Sequence, residues 1–106
     1  MDSYNSKMLR YLSAGFDQAV LDRIAELAAA LTPISEMAAL LDINEDMLRL
    51  AINDKSSPVR KVYLRAKAET AHELRKQEIE LAKVGSPLAV QLTSAYLRDM
   101  LTDETL

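Results

Sequence analysis

The 106-residue sequence predicts an all-α fold on three observations. Apolar residues recur at steps of three and four rather than two. Only two glycines and three prolines punctuate the chain. Each proline follows a hydroxyl residue, as Thr32-Pro33, Ser57-Pro58 and Ser86-Pro87. A hydroxyl accepts a hydrogen bond from the first turn's orphan N–H groups, and proline next to it has no N–H to orphan, so each pair reads as a helix start. Gly15 and Gly85 read as stops or turns.

Residues 1–15, with Tyr4, Met8, Tyr11 and Leu12, read as a short helix or an arm. Phe16, Val20, Ile24, Leu27 and Leu31 then keep to one helical face. Ile34, Met37, Ala38 and Leu41 repeat the pattern in a short second helix. Asp42-Ile43-Asn44 interrupts it, and Asn44 caps a third helix carrying Met47, Leu48 and Ala51. A loop at residues 53–57 leads to a stretch from Pro58 to Val84 with no breaker, about 40 Å as one helix. Its expected inner stripe is Val59, Tyr63, Ala66, Thr70, Leu74, Gln77, Leu81 and Val84. Gly85-Ser86-Pro87 reverses the chain into a last helix, Leu88 to about Leu101, completing an antiparallel hairpin.

The last helix is apolar on more than one side. Leu88, Leu92 and Ala95 form one row; Val90, Leu97 and Leu101 form another, with Ala89, Tyr96 and Met100 between. One row is expected to cover the long helix, and the other then needs a second cover. That cover is either the N-terminal helices or another protomer, and the protomer is the sharper expectation.

Composition narrows the chemistry. There is no cysteine, which removes disulfides, thiol nucleophiles and thiolate zinc sites. The lone histidine, His72, disfavours histidine metal centres and Ser-His-Asp chemistry. No apolar run reaches the ~18 residues of a membrane span, and no signal-peptide core is apparent. The expectation is a cytoplasmic, non-enzymatic protein with no catalytic residues, metal or cofactor. Glu69 and Glu73 read as helix neighbours that offset nearby cations.

A formal net charge of −3 conceals one basic stretch. Residues 1–54 hold four basic and nine acidic side chains, and residues 77–106 hold two and five. Residues 55–76 hold seven basic and two acidic ones: Lys55, Arg60, Lys61, Arg65, Lys67, Arg75 and Lys76 against Glu69 and Glu73. Lys61, Arg65, His72 and Lys76 share a helical face that could follow a phosphate backbone, although a solvated face would look the same.

Two short helices after a longer one suit a helix-turn-helix. In a twenty-residue frame beginning at Ile34, the interior positions are Met37, Ala38, Leu41, Ile43, Leu48 and Ala51, all apolar. The expected architecture is an N-terminal helix-turn-helix bundle (residues 16–55) followed by a long helix and antiparallel helical hairpin (residues 56–106).

The stretch from Ile34 to Arg49, with the charged helix and the hairpin through Leu81–Ala89, resembles the small terminase subunits of tailed bacteriophages and related prophage helix-turn-helix proteins. The resemblance extends to about Met100. It implies a non-enzymatic DNA-packaging factor that binds double-stranded DNA, assembles as a homo-oligomeric ring and regulates a large subunit with ATPase and nuclease activities in a bacterial host cell. Carried onto this sequence, Asn44, Arg49 and Asn53 would face the groove, and Lys55, Arg60, Lys61 and Arg65 would contact phosphates, with Lys76 extending the basic row. Leu74, Leu81, Leu88, Val90, Leu92, Tyr96, Leu97 and Leu101 would form the oligomer interface. Asp42 stands where the turn commonly has glycine, and Glu45 and Asp46 put acids where phosphates would approach. Two alternatives remain: a transcriptional regulator of a mobile element using the same motif, and a helical oligomeric adaptor that never touches DNA.

Overall fold

The structure, a computed structural model, describes residues 16–106. The expected arm or short helix at residues 1–15, Gly15 included, lies outside the described residues. Five α-helices follow in chain order: α1 Gln18–Ala29, α2 Ile34–Leu41, α3 Glu45–Asn53, α4 Pro58–Lys83 and α5 Pro87–Glu104. No strand occurs among the described residues. The fold is all-α, and no described helix is long and apolar enough to cross a membrane.

Short-range hydrogen bonds set most of these boundaries. The Asp17 carboxylate accepts the Val20 N–H at 3.0 Å and opens α1. Asn44 accepts from the Met47 N–H at 3.1 Å and opens α3. Ser57 and Ser86 accept from the N–H groups of Val59 and Ala89 and open α4 and α5. Thr32 departs from this pattern: α2 has no side-chain cap, and Pro33 itself holds the cap position. The reason is local. The Thr32 N–H is committed to the Leu27 carbonyl at 3.0 Å, so Thr32 belongs to the turn that closes α1.

Three helices stop by one device, a left-handed residue followed by a paired backbone closure. At the end of α1 it is Leu31 at φ 58°, after α2 Asp42 at φ 54°, and after α4 Gly85 at φ 96°. In each case the next residue's N–H reaches back five residues: Thr32 to Leu27, Ile43 to Ala38 and Ser86 to Leu81. Leu31 therefore sits past α1 and is about half-exposed, not on its inner face as the spacing suggested.

The chain forms two compact units that divide between Thr70 and Ala71, inside α4. The punctuation had suggested a division near residue 55 instead. The reason is that the first turns of α4 complete the first unit's core, where Val59 is buried and Val62, Tyr63 and Ala66 pack against it. Ile24, Met37, Leu48 and Val59 are its largest fully buried side chains. Of the six interior positions of the twenty-residue frame, Met37, Ala38, Leu48 and Ala51 are buried, and Leu41 and Ile43 pack against them. Two side chains then tie α4 to orphan carbonyls of other helices. Thr70 donates to the Ala29 carbonyl at 2.7 Å, and the Arg60 guanidinium donates to the Ile52 carbonyl at 3.0 Å.

The second unit, Ala71–Leu106, is a hairpin of the later turns of α4 and α5. Arg75 stacks over the Tyr96 ring at 5.7 Å, pairing a residue about ten positions before Gly85 with one about eleven after it, as an antiparallel hairpin requires. The expected inner stripe fails here. Leu74, Gln77, Leu81 and Val84 are exposed, while Ala71, Glu78 and Ala82 are half-buried. On α5 only Ala89 is buried, with Thr93, Ala95 and Tyr96 half-buried. The leucines of both rows stay exposed, and of those rows only Ala95 is half-buried, because the register of the two helices turns the side bearing Ala89, Thr93 and Tyr96 inward.

Candidate functional site

In the first unit the cations gather around the α3–α4 turn. The Asp54 carboxylate accepts from the N–H and hydroxyl of Ser56, forming a tight loop that carries Lys55. Lys55 and Lys61 are exposed, and neither has an ion pair among the described residues. Asn53 is exposed at the end of α3.

Other expected DNA contacts are already engaged. Arg60 is half-buried and one of its five guanidinium N–H groups caps α3, which anchors the side chain at the α3–α4 turn. A positive group is favourable at that negative helix end. Arg49 pairs with Glu45 at 3.0 Å along the exposed side of α3, and Arg65 pairs with Glu69 at 3.0 Å. Pairs this exposed are held weakly, by about 0–1 kcal/mol, so a stronger anion can replace the carboxylate. The Asn44 side-chain oxygen is used in the cap, which leaves its amide NH₂ for any ligand. Lys76 lies in the second unit, 3.9 Å from Glu73, and is not part of the first unit's cationic cluster.

Lys67 stands 5.7 Å from the Tyr63 ring centre, a cation–π contact absent from the expected site. Both residues line a cavity of about 210 Å³ with Leu31, Thr32 and Pro33. The four-residue spacing of Tyr63 and Lys67 on one helix was the available signal.

The second unit offers a different surface. Leu74, Leu81, Leu88, Val90, Leu92, Leu97 and Leu101 are all exposed, with Leu88 at 65% and Leu97 at 57%. Tyr96 is the exception among the expected interface residues, since its half-buried ring belongs to the seam beneath Arg75. Val84, 81% exposed beside the turn, and Met100, at 61%, join the apolar surface. Arg75, Ile79, Leu97 and Met100 line a groove of about 530 Å³, together with Asp99 and Asp103. Sequence spacing missed this groove because it treated each α5 row alone. The residues meet only when α4 and α5 are set in register.

Comparison with protein families, with curated proteins and with solved structures gave no match.

Proposed function

We propose that this protein is a non-enzymatic, self-associating DNA-binding factor of the small-terminase kind, acting in phage or prophage DNA packaging beside a large ATPase and nuclease subunit. In this reading the short helices α2 and α3 act as a helix-turn-helix whose phosphate contacts come from Lys55 and Lys61, with Arg65 released from Glu69. The second unit joins copies through its outward leucines. The single observation that carries the reading is the hairpin's inversion, with alanines at the seam and leucines in water. An exposed apolar surface of this kind is a recognised mark of protein–protein contact.

The test couples mass to DNA binding. Light scattering on the purified chain should give a closed assembly well above dimer mass. Affinity for mixed-sequence duplex DNA should fall steeply between about 50 and 200 mM salt as counterion release is suppressed. Lys61→Glu combined with Arg65→Glu should abolish it. A monomer at high micromolar concentration overturns the assembly, and indifference to salt and to both substitutions overturns the DNA contact.

A second reading, an oligomeric adaptor without DNA, draws on a specific observation. Glu45 and Asp46 occupy the first turn of α3, and Glu45 holds Arg49. Acids there offset the positive end of the helix that would otherwise attract phosphate. Retained assembly with no DNA affinity at low salt would select this reading.

A further inference from the structure

The hairpin carries two features that fit each other but cannot meet within one molecule. One is its tip, where Val84 and Leu88 are among the most exposed apolar side chains of the protein. From Leu81 to Leu92 the chain bears a single charge, Lys83. The other is the groove of about 530 Å³ lined by Ile79, Leu97 and Met100 with two acids, Asp99 and Asp103, and one cation, Arg75, which is stacked over Tyr96. The last six residues of α5 contain three acids and no base. Acids at the negative end of a helix are unfavourable, and a cation brought there relieves them.

We propose that the tip of one copy, Val84 and Leu88, seats in this groove of a second copy, with Lys83 set against Asp99 and Asp103. The apolar parts remove each other from water, and the charges set the direction of approach. Lys83 is free to change partner, because its contact with Glu80 is a 3.4 Å exposed pair. The same molecule cannot satisfy the groove. From Pro87 to Leu97 the α5 axis rises about 15 Å, far beyond the Cα separation of about 7 Å at which two side chains could be bridged. The proposal rests on the self-association reading above and names its contact.

The absence of native cysteine makes the test clean. A Val84→Cys variant and a Leu97→Cys variant are mixed, oxidised mildly and resolved without reductant, beside light scattering of the unaltered chain. The expected result is a disulfide-linked pair in the mixture and none in either variant alone. Lys83→Glu in the Val84→Cys partner should lower that yield about fivefold, and Asp99→Lys with Asp103→Lys in the other partner should restore it. Circular dichroism confirms that each variant keeps its helices. Linkage of Val84→Cys with itself would mean tip-to-tip contact and overturn the proposal. So would an assembly that shows no mixed disulfide, or a yield indifferent to the charge changes. A monomeric unaltered chain overturns both this contact and self-association, whereas an assembly without the mixed disulfide overturns this contact alone.

Discussion

The two units of this protein solve opposite packing problems. From residue 16 to Thr70 large apolar side chains make a core, with Ile24, Met37, Leu48 and Val59 fully buried beside Ala28, Ala38 and Ala51, while Leu31, Leu40, Leu50 and Leu64 stay exposed. From Ala71 onward the assignment is reversed, with Ala89 the one buried residue and leucines outside. A fully buried leucine or isoleucine contributes about 1.5–3 kcal/mol relative to exposure, so the first unit holds a core of its own. The hairpin gains little by that route. Its order comes from helix capping, from the Arg75–Tyr96 stack and from exposed i,i+3 pairs such as Lys83–Glu80.

The sharpest way to break the comparison is a matched pair of truncations. Leu48→Ala should cost about 3 kcal/mol in chemical denaturation, through lost burial and the cavity left behind. Leu97→Ala, measured where the protein is dilute, should stay within about 0.5 kcal/mol. A large loss at Leu97 would place it in the monomer's core. Leu92→Asp and Leu97→Asp extend the test to assembly, where each should abolish higher mass in light scattering while circular dichroism keeps its helical signal.

Smaller effects test the ties within the first unit. Thr70→Val removes the donor to the Ala29 carbonyl and should cost about 1 kcal/mol in denaturant midpoint. Asp42→Gly should act in the other direction. It relieves a left-handed residue and removes an acid from a helix end, gaining about 0.5–1 kcal/mol in thermal melting. No gain would mean that the Asp42 side chain contributes to the α2–α3 turn beyond its backbone.

Much of the scaffold was legible because the governing interactions are short. Asn44, Ser57 and Ser86 cap helices a few residues away, so residue type and position sufficed. The interior frame from Met37 to Ala51 was legible for the same reason, since periodicity records which side faces in. Thr32 misled because its N–H was already committed to Leu27, a contact reaching back into the preceding helix. Arg60 has a structural role that the pattern of charges did not show. A lysine- and arginine-rich stretch looks like a phosphate ladder, and nothing local shows that one guanidinium is held by the Ile52 carbonyl eight residues earlier.

What the chain's order of residues determined alone is therefore its helices, most of their ends and the composition of its surfaces: these depend on near neighbours, through hydrogen bonds and the 3.6-residue repeat. Which side of the hairpin faces inward was decided only by tertiary structure. Hydrophobicity ranks the leucines first for burial, yet the shielded residues of the hairpin's helices are Ala71, Glu78, Ala82, Ala89, Thr93, Ala95 and Tyr96, because the register of one helix on the other sets which side faces in. The same register brought Arg75 onto Tyr96 and produced the groove beside Asp99 and Asp103, features that no single helix contains.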